Sequence, residues 1–136
     1  MIIAPPKRLF KIKPKEDPQP VCKTLSNGTK EWWLNGKLHR TDGPAIEWND
    51  GDKEWWLDGK RHRIDGPAIE CSDGYKEWYL NGKLHRIGGA AIERNDGSKE
   101  WWIDDEEHTF EEYLQKLQEL GYEEHVVNLL FQLDTV

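Results

Sequence analysis

Apolar and polar residues alternate with a period of two in short bursts along this chain, and the bursts recur every 23 residues. KEWWLNGKLHR at 30–40 returns as KEWWLDGKRHR at 53–63, KEWYLNGKLHR at 76–86 and KEWWIDDEEHT at 99–109. A linking segment returns with it: DGPAIEWNDG at 42–51, DGPAIECSDG at 65–74 and GGAAIERNDG at 88–97. Period-two alternation predicts strands. Asn35-Gly36, Asp58-Gly59 and Asn81-Gly82 lie between alternating runs and predict hairpins, because these residue types accept the positive φ angles of a two-residue type I′ turn. A second turn is predicted at Asn27-Gly28, Asp50-Gly51, Asp73-Gly74 and Asp96-Gly97. Pro44 and Pro67 then start the returning strand, where no ladder donor is needed. A fixed short period without insertions means stacked units sharing one core, not a domain folded around one active site.

The hairpin register follows from the turn. With Asn35-Gly36 as the loop, Leu34 opposes Lys37, Trp33 opposes Leu38, Trp32 opposes His39 and Glu31 opposes Arg40. One face then carries Trp32, Leu34, Lys37 and His39; the other carries Glu31, Trp33, Leu38 and Arg40. The Trp32 row (Trp32, Trp55, Trp78, Trp101) and the Leu34 row (Leu34, Leu57, Leu80, Ile103) are nearly uniform, which predicts core. The opposite face drifts from Leu38 through Arg61 and Leu84 to Glu107, so the Trp33 row (Trp33, Trp56, Tyr79, Trp102) is expected to be half-exposed. Ala45-Ile46, Ala68-Ile69 and Ala91-Ile92 complete the expected core. Glu31–Arg40, Glu54–Arg63 and Glu77–Arg86 are expected to be cross-strand ion pairs worth a few tenths of a kcal/mol each.

The two ends break the period. Residues 1–20 hold five of the seven prolines, interleaved with Lys7, Arg8, Lys11, Lys13 and Lys15. Proline at that density opposes helix and central strand, so residues 1–23 read as an extended basic arm, in which RLFKIK (8–13) alternates enough to add an edge strand. The repeats occupy 24–108. After His108, TFEE at 109–112 is a capping box that starts a helix. Phe110, Tyr113, Leu114, Leu117 and Leu120 share one helical face. Gly121 suits a helix end, and Val126, Val127, Leu130 and Leu133 form a second stripe. Residues 109–136 are therefore expected to cap the open end of the stack, or to serve as a docking or dimerisation element over 110–133. The fold class expected is mainly β: stacked 23-residue hairpin repeats in a single antiparallel sheet, with a C-terminal α-helical cap.

Charge is unevenly spread. Residues 1–23 carry six basic and two acidic groups, residues 24–102 twelve and fourteen, and residues 103–136 one and ten, for a total of −7. An acidic chain disfavours nucleic-acid binding over its whole surface. No apolar run approaches a membrane span, and no signal-peptide core stands at the N-terminus. The expected setting is therefore cytoplasmic, without membrane contact. Cys22 and Cys71 show no metal or redox spacing and are expected to be free thiols.

The 23-residue period and the Asn-Gly-Lys-x-His sequence at 35–39, repeated at 81–85, resemble the MORN repeat. The longer EWWLNGKLHRxDGPAIE pattern resembles a Trp-rich variant of it found in bacteriophage and other viral proteins. The resemblance covers about residues 24–109. It departs from the usual repeat where Arg40, Arg63 and Arg86 follow the histidine in place of glycine, and where Lys-Glu-Trp-Trp replaces Tyr-x-Gly, which puts a lipid-binding role in doubt. It implies a curved sheet of stacked hairpins that holds partners, no catalytic residues, and, by analogy with viral proteins, a host-directed inhibitor or anti-defence factor acting in the host cytoplasm.

The repeated histidines, His39, His62, His85 and His108, do not suit a metal. Equivalent positions lie two strands apart, about 9–10 Å, whereas ligands of one zinc all lie about 2 Å from it. No catalytic constellation, phosphate loop or nucleophile motif is present, so an enzyme is not expected and no cofactor is called for. Two sets of residues remain as candidate sites. Trp33, Trp56, Tyr79 and Trp102, with Trp48, form a row of rigid anchors suited to a protein partner. The rungs Lys37/His39/Arg40, Lys60/His62/Arg63 and Lys83/His85/Arg86 place positive charge beside aromatics, suited to a nucleotide or nucleic acid. The leading expectation is a non-catalytic protein–protein interaction module. The alternatives are a nucleotide-sequestering protein and a structural module that oligomerises through its C-terminal helices.

Overall fold

The computed structural model describes residues 3–4 and 13–134, and so leaves the expected edge strand at 8–13 almost wholly outside the described residues. The strands are β1 (Val21–Thr24), β2 (Lys30–Leu34), β3 (Lys37–Leu38), β4 (Ile46–Glu47), β5 (Lys53–Glu54), β6 (Trp56–Leu57) and β7 (Lys60–Arg61). They continue as β8 (Ile69–Glu70), β9 (Lys76–Glu77), β10 (Tyr79–Leu80), β11 (Lys83–Leu84), β12 (Ile92–Glu93), β13 (Lys99–Ile103) and β14 (Glu106–His108). Two helices follow, α1 (Phe110–Glu119) and α2 (Glu123–Asp134). The chain is mainly β, and most strands join one antiparallel sheet of ten. β6–β7 and β10–β11 stand as separate two-stranded hairpins. β1 pairs with β2 from Val21↔Trp33 to Thr24↔Lys30, so the sheet begins inside the segment read as an arm.

Each repeat contributes to two parallel tracks. At the hairpin base, Ile46 pairs with Glu31 and Glu54, Ile69 with Glu54 and Glu77, and Ile92 with Glu77 and Glu100. At the tips, each hairpin bonds the next one: Gly59 N–H donates to Leu38 C=O and Arg40 N–H to Trp56 C=O, with the same pair of bonds at Gly82–Arg61 and Arg63–Tyr79. The tips take the expected I′ geometry, with φ of 51° at Asn35 and 74° at Gly36, and the same signs at Asp58-Gly59 and Asn81-Gly82. The second turns are held by the Asn27, Asp50, Asp73 and Asp96 side chains, each accepting the backbone N–H two residues on.

The predicted register holds at Leu34↔Lys37 and Trp33↔Leu38, and His39 N–H reaches Trp32 C=O. It fails at Glu31, whose partner is Ile46. The hairpin splays there because Arg40 bonds forward to the next repeat, and the expected ion pairs of Arg40, Arg63 and Arg86 with Glu31, Glu54 and Glu77 do not form. The core also differs. Ala45, Ile46, Ala68, Ala91, Ile92 and Ile103 are buried as expected, joined by Ala90, but Ile69, Leu34, Leu57, Leu80 and the Trp32 row are only half-buried. The largest buried cluster is at the cap: Ile103, Tyr113, Leu117 and Leu129, flanked by Ile87, Trp101, Phe110, Leu114 and Val126.

The cap is built as its sequence directs. Thr109 accepts the Glu112 N–H while Glu112 accepts the Thr109 N–H. α1 ends in a Schellman arrangement, with Gly121 at φ 88° and Tyr122 N–H bonded to Leu117 C=O. The apolar face is narrower than predicted: Leu120 is exposed, and α2 buries Leu129 while Val127, Leu130 and Leu133 of the expected stripe stay outside with Phe131. No helix among the described residues is long and apolar enough to cross a membrane.

Candidate functional site: a row of tryptophan-floored dimples

The Trp32 face is not covered along its length. It forms a groove of three dimples at the repeat period. Over Trp55 lies a cavity of about 680 Å³, bounded by Arg40-Thr41-Asp42 on one side, Arg63-Ile64-Asp65 on the other, and Leu57 and His62. Over Trp78 lies one of about 560 Å³, which shares the Arg63-Ile64-Asp65 ridge and adds Leu80, His85 and Arg86. The dimple over Trp32 is the smallest, about 200 Å³, and Gln19 and Pro20 close one side of it. The fourth rung is filled by the chain itself. Trp101 meets Phe110 at 4.8 Å and Tyr113 at 5.0 Å between ring centroids. One end of the row is thus filled by the chain's own helix and the other narrowed by Gln19 and Pro20, while the two middle rungs are wide open. Ile64, on the ridge between them, is 86% exposed.

The floor is held by arginine. The Arg40, Arg63 and Arg86 guanidinium carbons sit 3.8, 3.7 and 3.8 Å from the Trp32, Trp55 and Trp78 ring centroids, a stacking that desolvation strengthens. Arg63 Nε donates to Asp65 at 3.0 Å, and its Nη1 donates to Pro67 C=O at 3.0 Å and Glu70 at 2.9 Å. Arg40 repeats this with Asp42, Pro44 C=O and Glu47, and Arg86 with Ala90 C=O and Glu93. Glycine leaves room beside each one: a Cβ on Gly43, Gly66 or Gly89 would stand 3.0, 2.9 or 2.5 Å from the guanidinium carbon and crowd it out of place. The Asp-Gly of each DGPA segment is therefore an arginine socket. The arginines lie on the Trp32 face, not on the Trp33 face where strict alternation put them, because the chain splays at that residue.

This geometry separates the basic rungs proposed from the sequence. Arg40, Arg63 and Arg86 already hold carboxylates. His39, His62 and His85 are half-buried and accept through Nδ1 the backbone N–H of Asp58 (3.0 Å), Asn81 (2.9 Å) and Asp104 (3.2 Å), tying each hairpin to the next turn. Lys37, Lys60 and Lys83 are exposed at the hairpin tips, with the Lys37 and Lys60 stems against Gly59 and Gly82 of the following repeat. The rungs do not converge on one anion site. Among the described residues no cluster of three or more His, Cys, Asp or Glu could hold a metal ion.

The Trp33 row lies on the other face and is half-buried, as its drift suggested. A carboxylate organises it in every repeat. Glu31 accepts from Trp33 Nε1, Glu77 from the Tyr75 and Tyr79 hydroxyls, and Glu100 from Trp102 Nε1 and Arg94. Glu54 is taken by Trp48 and Arg61, which leaves Trp56 Nε1 buried with no partner among the described residues. Arg61 bridges Trp56 and Tyr79 at 5.1 and 5.5 Å. Burial, reinforced by the Glu77 hydrogen bonds, raises the Tyr75 hydroxyl and pushes Tyr79 up to about 12. Burial and the nearby Asp52 push the Cys71 thiol up to about 11. Both cysteines are free.

The groove residues Trp55, Trp78, Leu57, Leu80 and Ile64 were not among the candidate site residues read from the sequence. The strict repetition of the tryptophans looked like burial, but it accompanies a repeated arginine stack on rings that stay half-exposed. The one available signal was Ile64 between Arg63 and Asp65, a large apolar residue inside a polar turn. No family model matches the chain, and no curated protein or solved structure matches it.

Proposed function

We propose that this chain is a non-catalytic protein-interaction module that receives its partner on the groove floored by Trp55 and Trp78. The observation that carries the reading is the contrast along one row: Trp101 is covered by Phe110 and Tyr113 of the chain's own helix, while chemically equivalent surface two rungs away is open and flanked by an exposed Ile64. Aromatic surface in a concave site is the usual source of anchoring energy in interfaces. The resemblance of the repeats to Trp-rich MORN repeats supports binding over catalysis, and extends the proposal to a MORN-like host-directed inhibitor working against a host protein. A photo-cross-linking residue at position 64, in cells expressing the chain, should give a discrete protein adduct that Trp55→Ala removes. The same group at Lys76, exposed on β9 away from the groove, should give none. Adducts from Lys76 but not from position 64 would reject the groove.

A second reading is favoured by α2, where Val127, Leu130 and Phe131 are 50%, 45% and 65% exposed on a helix packed against α1 by its opposite side. Contiguous apolar surface of this kind marks interaction sites, and self-association through the C-terminal helices fits it.

A further inference from the structure

We infer that the open groove takes a proline-rich segment of a partner protein in the polyproline II conformation, laid across the strands with one proline over Trp55 and another over Trp78; this rests on the interaction reading above and names its ligand class. The first argument is spacing. Each repeat adds two strands, so successive dimples lie about 9–10 Å apart at about 4.8 Å per strand. Polyproline II turns once in three residues at about 3.1 Å each, so every third residue returns to the same side after about 9.3 Å. One ligand turn spans one ridge.

The second argument is polarity. The indole N–H groups of Trp33, Trp48 and Trp102 each donate to a glutamate. Those of Trp55 and Trp78, whose side chains line the groove, donate to no described residue and are not buried, so solvent reaches them. His62 adds a donor. Its Nδ1 accepts the Asn81 N–H, so the neutral ring carries its proton on Nε2. On the ridges Asp42 and Asp65 each give one oxygen to Arg40 or Arg63 and keep the other exposed. On the groove floor itself the polarity available to a ligand is that of the indole and imidazole donors. Proline offers carbonyls and no N–H, and polyproline II leaves those carbonyls unpaired. A helix fits worse, because its backbone groups are internally bonded and it would cover the Trp and His donors without satisfying them, at a real cost. A β-strand returns its side chains to one face every two residues, about 6.8 Å, and so falls out of step with the dimples.

The third argument is precedent within the chain. At the first rung of the same groove, one wall is made by Gln19 and Pro20, at the end of the segment Pro18-Gln19-Pro20. Proline-bearing chain thus borders the groove at its first rung before entering β1. Aromatic grooves reading prolines at a period of three are an established mode of peptide recognition.

The test is a titration of the full chain with acetyl-(Pro-Gln-Pro)3-amide, followed by calorimetry and tryptophan fluorescence. A peptide copying residues 109–120 serves as the helical competitor, and acetyl-(Gly-Gln-Ser)3-amide as a flexible control. The proline peptide should bind saturably at one site. Trp55→Phe and Trp78→Phe, which keep the ring and delete the N–H, should each weaken it about fivefold. Trp33→Phe, on the other face, should leave it unchanged. Circular dichroism of each variant checks that the fold is intact. Binding of the helical peptide instead, sensitive to Trp55→Phe, would overturn the proline assignment and leave the interaction reading standing. No peptide binding together with a position-64 adduct would do the same. No binding and no adduct would sink both. Self-association abolished by Trp55→Ala would assign the groove to the proline arm of a second copy and overturn the partner assignment.

Discussion

Tyr113→Phe isolates one hydroxyl that closes the repeat stack. The ring is fully buried and packs against Trp101. Its hydroxyl donates to Arg86 C=O at 2.6 Å and accepts N–H groups from Gly88 at 3.0 Å and Gly89 at 3.3 Å. In repeats one and two an aspartate, Asp42 or Asp65, stands where Gly88 stands in repeat three and accepts from the arginine Nε; in repeat three the tyrosine instead bonds the backbone of that turn. Removing the oxygen leaves the ring stack in place. Gly89 is buried, so its N–H stays dry and unpaired, while Arg86 and Gly88 are partly exposed and recover water. With about 1–3 kcal/mol for that stranded group, the expected loss is about 1–3 kcal/mol, a large share of a typical domain stability of about 5–15 kcal/mol. Urea unfolding followed by tryptophan fluorescence, with the slope unchanged, measures it. Tyr75→Phe is the control: that hydroxyl makes a single bond to Glu77 on a partly exposed face, and its loss should cost less than about 1 kcal/mol. A Tyr113→Phe loss no larger than the control's would refute the capping role.

The arginine socket predicts that Gly66→Ala and Arg63→Ala weaken the fold through the same contact. Each alone should cost about 1–3 kcal/mol, and the double variant should cost clearly less than their sum in urea unfolding; full additivity would dissociate the glycine from the guanidinium. Cys71, with its thiol raised to about 11, should alkylate far more slowly than exposed Cys22 at pH 8 and accelerate as pH climbs toward 11, because the thiolate is the nucleophile; equal rates at pH 8, resolved by peptide mass spectrometry, would contradict its placement beside Asp52. Leu130→Glu with Phe131→Glu should convert any dimer to monomer by light scattering without loss of helix signal, since both side chains are exposed; an unchanged mass would exclude α2 as the self-association face.

Much of the fold was legible because repetition multiplies weak local signals. Asn35-Gly36 alone suggests a hairpin; the same pair type at 23-residue steps, flanked by the same alternation, leaves little else. The Thr109–Glu112 capping box and the Gly121 helix end were readable for the same local reason: the backbone groups they satisfy lie within four residues. The functional face was misread because strand alternation assumes a straight partner. Glu31 was paired with Arg40, yet Arg40 N–H bonds forward to Trp56, the strands splay, and the side chain swings onto Trp32. Uniform tryptophans at 32, 55 and 78 were then taken for core, when their uniformity comes from an Arg–Gly–Trp socket and not from burial.

What the chain determined by itself is everything set by short-range stereochemistry: the turn residues, the strand period, the hairpin tip register, the helix start and stop. Only the tertiary structure decided which aromatic row is open. That choice depends on how neighbouring repeats share hydrogen bonds, on which carboxylate each arginine reaches seven residues away, and on the helix that returns to cover Trp101 while Trp55 and Trp78 stay bare. Those are comparisons between surfaces brought together from distant positions, and a linear pattern carries no term for the space left between them.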